Sequence, residues 1–356
     1  MRAAVYYGTN KVEIADVPEP SPGEGEVKVK VGYNGICGTD LHEYYAGPIF
    51  VPTEPHPLTN QQLPLVLGHE FSGTVTEIGT GVTGIEVGDR VAIEPLYRCG
   101  HCGPCRAGNY NICQQIGFHG LMSDGGMAEY TVVPTNMIHH LPENVSLELG
   151  ALVEPMSVAF HAATLGDPDP DDTAMVFGAG PIGIGLWFAL RGKGLENVFV
   201  VEPSPTRRAS IEALGARTLD PTSLDVPEFV ADFTDGRGAD AIYDAAGVQP
   251  AVETALGCIG ARKPLVSVAI YEKPLTTPLQ KLVMNESRIQ GSLCYTSADY
   301  DAVIELMAQG KYDTTGWVDK IALESVIDDG FEALHAGTKM KVLVDPAVGR
   351  GSEGQA

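Results

Sequence analysis

In Ala174-Met175-Val176-Phe177-Gly178-Ala179-Gly180-Pro181-Ile182-Gly183 an apolar run leads straight into closely spaced glycines. Four apolar residues in a row suit a strand buried on both faces, and the glycines that follow have the spacing of a phosphate-binding turn. In that setting Gly178 makes the tight turn, Gly180 lets a pyrophosphate approach the backbone, and Gly183 lets helix pack on strand. Pro181 and Ile182 fall in the first helical turn, whose free N–H groups face the phosphates. A second strand, Asn197-Val198-Phe199-Val200-Val201, ends at Glu202. A carboxylate there suits the hydroxyls of an adenosine ribose and repels a 2′-phosphate, so NAD is expected over NADP. Arg207 and Arg208 weigh against this, since a nearby arginine can accept that phosphate. The uncharged run 173–190 is long enough for a membrane span, but its glycines and Pro181 break it. A buried strand, a turn and an inward-facing helix account for it.

Outward from this stretch, strand patterns at 241–244 and 264–268 alternate with helical ones such as 205–214, which Gly215 ends. Such alternation means a parallel sheet with helices on both faces, an α/β doubly wound domain. Upstream the pattern differs. Short alternating segments at 2–6, 27–31, 71–78, 90–94 and 128–133, broken by turns, predict a small β-barrel-like domain. Residues 44–64 carry Pro48, Pro52, Pro55, Pro57 and Pro64 without periodicity, and so long a loop is expected to border a pocket. After about 293 the alternation stops; helices at 299–309 and 323–336 and a strand at 341–344 follow, and 349–356 reads as a frayed tail.

Two clusters carry metal-ligand chemistry. Cys99, Cys102, Cys105 and Cys113 could close a tetrahedron around a structural zinc, with glycines and Pro104 providing tight turns. A disulfide or iron–sulfur reading of the same four stays open. The second cluster begins at Leu67-Gly68-His69-Glu70-Phe71, where a histidine and a glutamate interrupt an apolar strand pattern. With Cys37 upstream and Glu154 downstream, one thiolate, one imidazole and one or two carboxylates would make an open zinc site. Cys258 and Cys294 read as buried structural thiols.

Composition excludes several functions. The chain has 356 residues, 44% of them hydrophobic, long enough for two domains. Against 46 acidic residues stand 23 basic ones, a net charge of −23. Nothing basic is available to neutralise phosphates, which argues against nucleic acid and an anionic membrane surface. The acidity, spread along the chain, points to a halophilic host. The N-terminus has no hydrophobic signal core, and seven cysteines do not make a secreted framework, so the expected location is cytoplasmic.

Gly68-His69-Glu70, followed by Gly73, Gly79 and Val82, resembles the zinc signature of the medium-chain alcohol and polyol dehydrogenases. The resemblance runs from Met1 to about Pro346. His42 to Phe50 and Phe118-His119-Gly120-Leu121 place it nearest the butanediol dehydrogenase branch. It implies a GroES-like catalytic domain over 1–155 and 294–356, with a structural zinc lobe at 97–115, and a Rossmann NAD-binding domain over 156–293. It also implies two zinc ions per subunit, one catalytic and one structural. The catalytic set would be Cys37, His69 and Glu154, with Glu70 alternately near the metal. Asp40 would orient His69, and Thr39 would take the alcohol proton and pass it on towards His42. Arg207 matches a position where NAD-linked relatives also carry arginine. His119 would pack near the pocket or bind a second substrate hydroxyl. Lys341 would reach the pyrophosphate or lie exposed.

The activity implied is NAD-linked interconversion of a small vicinal diol and its hydroxyketone, in the nearest branch (R,R)-2,3-butanediol and acetoin. A sorbitol-type or glucose dehydrogenase is the alternative on the same scaffold. A zinc-free quinone reductase-like protein or a non-enzymatic NAD-binding regulator is disfavoured by the intact ligand and relay residues. A sheet edge near 288–295 predicts a homodimer or homotetramer.

Overall fold

The computed structural model describes residues 1–271 and 273–348; the tail expected over 349–356 lies outside them. The chain packs into two units. One comprises Met1–Glu154, Tyr300–Ala308 and the chain from Trp317 onward; the other comprises Pro155–Asp299 and Gln309–Gly316. Residues 294–299 and 309–316 thus pack with the second unit, not with the first as the family resemblance implies. Tyr312 explains the second of these segments: its buried ring lies 4.9 Å from that of Phe188. Asp299 explains the first, its carboxylate lying 2.9 Å from Nδ1 of His161.

The first unit opens with ten strands: β1 (Arg2–Gly8), β2 (Lys11–Asp16), β3 (Glu26–Gly35), β4 (Leu65–Val66), β5 (Glu70–Ile78), β6 (Arg90–Ile93), β7 (Leu96–Tyr97), β8 (Gly117–Phe118), β9 (Tyr130–Pro134) and β10 (Ile138–His140). Alternation sets the inward face. Val27, Val29 and Val31 of β3 pack with Phe71, Val75, Val91, Ile93 and Val133 in one apolar core, each such side chain contributing about 1.5–3 kcal/mol on burial. β3 is the organising strand. It runs antiparallel to β5 from Val27 opposite Ile78 to Gly35 opposite Glu70, and antiparallel to β9. A side chain at Gly73 would collide with the carbonyl of Lys30, so this crossing requires glycine. Helix α1 (Gly38–Ala46) follows β3 with Cys37 as its N-cap. The proline-rich loop beyond it forms no strand before β4.

The second unit holds six parallel strands: β11 (Thr173–Phe177), β12 (Asn197–Val201), β13 (Arg217–Leu219), β14 (Ala241–Asp244), β15 (Pro264–Ser267) and β16 (Arg288–Gly291). Their order is β13-β12-β11-β14-β15-β16, so the direction of winding reverses between β11 and β14. The helix Pro181–Gly192 buries Gly183 to Leu190, which accounts for the uncharged run. β16 is an edge strand, and all four of its residues are exposed. Among the described residues no helix is long and apolar enough to cross a membrane.

The chain then returns to the first unit. The run expected as one helix over 323–336 is a 3-10 turn (Leu323–Ser325), a π-helical stretch (Val326–Glu332) and a short α turn (Ala333–His335). Strands β17 (Val318–Ala322) and β18 (Lys341–Asp345) complete a sheet of order β10-β6-β5-β3-β18-β17, with β9 also paired to β3. β18 lies antiparallel to β3, with Leu343 opposite Gly35 and Val344 opposite Asn34. This register brings Lys341 to the end of β3 where Glu70 and Cys37 sit.

Candidate active site

Cys37, His69 and Glu70 converge where β3 ends and β5 begins. One donor atom from each lies within 4.8 Å of the others. The strand pairing makes this happen: Glu70 faces Gly35, two residues before Cys37. Glycine is required there, because a Cβ on residue 35 would collide with the Glu70 carboxylate. Cys37 is fixed by the cap of α1, where the Asp40 carboxylate accepts its N–H at 2.9 Å. The other oxygen of Asp40 lies 3.6 Å from Nδ1 of His69, and both residues are buried. Burial disfavours a charged imidazole here. The negative charge of Asp40 and Cys37 outweighs it and holds the His69 pKa well above its ordinary value. A site that stabilises positive charge, with thiolate, imidazole and carboxylate donors, fits a zinc ion with an open position.

Thr39 stands beside this trio, its Oγ1 3.6 Å from the Cys37 sulfur. His42 follows one turn along α1 and is half-buried. Glu154 is buried in the first turn of the helix Val153–Gly166, and Glu70 is the carboxylate of the compact trio. The sequence offers both carboxylates to the metal, and the β3–β5 register that brings Glu70 over Gly35 is not visible in it. Lys341 differs from expectation. It is neither exposed nor free for a pyrophosphate: it is 2% accessible, and its ammonium donates to Glu70 Oε2 and, at 3.0 Å, to the carbonyl of Ile36. Burial opposes its charge, yet Glu70, Cys37 and Glu154 keep its pKa above the ordinary lysine value.

The four lobe cysteines form a second cluster within the same 4.8 Å limit. Cys99 and Cys105 sulfurs lie 4.0 Å apart, and those of Cys102 and Cys113 3.9 Å. A tetrahedron with Zn–S of about 2.3 Å has sulfurs about 3.8 Å apart, so the cluster fits zinc. Backbone N–H groups of Cys99, Cys102 and Gln115 donate to these sulfurs at 3.3–3.4 Å, as thiolates require. His101 is exposed and bonds the Cys99 carbonyl, leaving the four sulfurs as the donor set.

In the second unit Gly178 has φ +100°, and a side chain at Gly183 would strike its carbonyl. A Cβ at Gly180 would instead meet nothing within 4 Å, the open approach that a pyrophosphate needs. Pro181 and Ile182 begin the helix there. Glu202 is buried, and its carboxylate accepts the N–H groups of Ala179 at 2.8 Å and Ser204 at 2.9 Å. Arg208 is tied to Asp220 at 2.9 Å and to the carbonyls of Glu202 and Pro203, whereas Arg207 is exposed.

His119 is placed differently from a substrate ligand. Its Nε2 contacts Thr131 Oγ1 at 2.8 Å, and its Nδ1 lies 3.1 Å from both Tyr97 OH and Ser123 Oγ. Burial pushes its pKa down to about 3, so it is a neutral, fully engaged core residue.

Comparison with known proteins matches these features to two family models. Residues 23–143 match the alcohol dehydrogenase GroES-like domain, and residues 181–309 match the zinc-binding dehydrogenase domain. The (R,R)-butanediol dehydrogenase of Bacillus subtilis (strain 168) is 39% identical, covering 97% of this chain and 100% of its own. The chain belongs to the zinc-binding alcohol dehydrogenase family. The (R,R)-butanediol dehydrogenase of Neisseria gonorrhoeae is 34% identical over 97% of this chain and 99% of its own. The crystal structure of 2R,3R-butanediol dehydrogenase from Bacillus subtilis superposes with a TM-score of 0.91 at 39% identity, covering 97% and 99% of the two chains. This zinc-binding dehydrogenase therefore has a GroES-like domain and a Rossmann-type domain, and its two donor clusters are those of a two-zinc member of the family.

Proposed function

We propose that this dehydrogenase interconverts (R,R)-2,3-butanediol and acetoin, with NAD as its redox partner. The observation that carries the reading is the Cys37–His69–Glu70 trio on a chain 39% identical, end to end, to an (R,R)-butanediol dehydrogenase. When bound, zinc supplies Lewis acidity towards a hydroxyl group, and the nicotinamide supplies the acceptor for two electrons and a proton equivalent. The chain does the rest. Cys37, His69 and Glu70 would hold the metal where the chain runs from β3 into α1 and β5 begins, and Asp40, 3.6 Å from Nδ1, would orient His69. Thr39 Oγ1, next to the Cys37 sulfur, accepts the proton that leaves the substrate hydroxyl, and half-buried His42 delivers it to solvent. Thr39 and His42 are three residues apart on α1, hence on one face.

Glu202 favours NAD. Two backbone N–H groups occupy one lone pair on each oxygen, leaving acceptor capacity for ribose hydroxyls and none for a phosphate. Arg208 is already committed to Asp220, and so does not offset that repulsion. The test is reduction of NAD and NADP with each butanediol stereoisomer, sorbitol and glucose, before and after chelation. Chelator-sensitive turnover strongest with NAD and (R,R)-butanediol is expected. Faster turnover on sorbitol or glucose would keep the scaffold and discard this substrate.

A further inference from the structure

Lys341 has no role in the chemistry above, yet it is the most deeply buried cation beside the trio. Its ammonium bridges two ligand-bearing segments: Glu70 Oε2 at the start of β5, and the carbonyl of Ile36, the residue before Cys37. The bridge is built by register. β18 lies against β3 with Leu343 opposite Gly35, and β3 lies against β5 with Gly35 opposite Glu70. Gly35 leaves the space across which the Glu70 carboxylate lies; a Cβ there would collide with the same oxygen that Lys341 holds. Glu70 therefore has one oxygen committed to an ammonium and one left for a metal.

A carboxylate with both oxygens free can grip zinc twice, at about 2.0–2.2 Å each. With Cys37 and His69 that would make four donor atoms; the chelating carboxylate spans too small an angle to fill two corners of a tetrahedron, but it would hold the metal more tightly and crowd the open position. We infer that Lys341 is a positioning residue of the metal centre: by holding Glu70 Oε2 it restricts that carboxylate to one oxygen and keeps the open coordination position uncrowded. The inference rests on the reading that the trio binds zinc. It carries an unusual sign. Removing Lys341 removes a positive charge beside a dication and frees a second donor, so the metal is held more tightly while the enzyme works less well. A lysine that only supports the fold would give the reverse, since its loss would loosen the site.

The test follows zinc transfer to a chromogenic chelator in the holoenzyme and in Lys341→Met, Lys341→Gln and Lys341→Arg. The phase missing in Cys37→Ser identifies the catalytic metal. Both neutral variants are expected to release it at least about tenfold more slowly, the scale on which partners of metal ligands act. Their kcat should fall, release from the cysteine lobe should not change, and Lys341→Arg should restore wild-type release. In a Glu70→Gln background Lys341→Met should bring no slowing. Lys341→Gln keeps a donor for Ile36 and covers the case in which Lys341→Met does not fold. Unchanged or faster release in the neutral variants, or equal slowing without Glu70, would overturn the inference. Wild-type enzyme with a single releasable metal would instead overturn the zinc reading of the trio, a separate failure.

Discussion

Glu202 shows how much one residue can carry. Its carboxylate closes the glycine turn through Ala179 and anchors the next segment through Ser204, and the ribose hydroxyls would share the same oxygens. Hydrogen bonds to a charged group contribute about 1.5–3 kcal/mol each. Glu202→Ala should therefore raise KM for NAD about tenfold or more, raise that for NADP less, and leave kcat close to wild type. An unchanged ratio between the two cofactors would take Glu202 off the ribose. The place of Glu202 at the end of a second parallel strand was legible in the sequence; its bonds to Ala179 and Ser204 were not. Gly178, Gly180 and Gly183 were legible too, each answering to a different steric demand. Lys341 and His119 were not. A lysine in a short strand looks exposed until its partner is known, and the burial of Lys341 depends on a glutamate 271 positions away. His119 likewise depends on Tyr97, Ser123 and Thr131, whose convergence no local pattern announces.

At the scale of elements, His139 ties β10 to the helix Ser297–Ala308. Its Nε2 faces Glu94 at 3.1 Å and its Nδ1 faces Asp301 at 2.9 Å, and its ring lies 4.8 Å from that of Tyr300. Tyr300 in turn donates to the carbonyl of Ile93 at 2.9 Å. Arg98, 3.2 Å from Glu94, is the other charge in the group. Burial opposes a charged ring, but Glu94 and Asp301 raise the His139 pKa above 6.5. A folded-state pKa raised in this way gives stability that is complete below the unfolded value of about 6.5 and is lost as pH rises through the folded value. Urea unfolding should accordingly show the wild type losing stability as pH rises above about 6.5, and His139→Gln showing a flatter profile. Equal slopes would mean that His139 is not charged in the folded protein. The strands of both units were legible from alternation and from buried runs. The π-helical stretch over 326–332 was not. Within it Gly330 lies under the Ile36 side chain, a long-range contact that no local pattern announces.

For the whole molecule, the order of the two halves was readable because the hydrophobic period changes near residue 155. The small segment 309–316 was not, since its assignment turns on where one ring, that of Tyr312, is buried. The place of Glu70 also depends on long-range pairing, since it is the pairing of β3 with β5 that brings it to Cys37 and His69. The central claim is that this trio is a catalytic zinc site independent of the cysteine lobe. Metal analysis and turnover of Cys37→Ser test it most directly. Two zinc ions per chain are expected in the wild type, matching the two donor clusters. One is expected in the variant, with (R,R)-butanediol oxidation abolished and the fold intact. A variant that keeps both metals, loses both, or still turns over would contradict it.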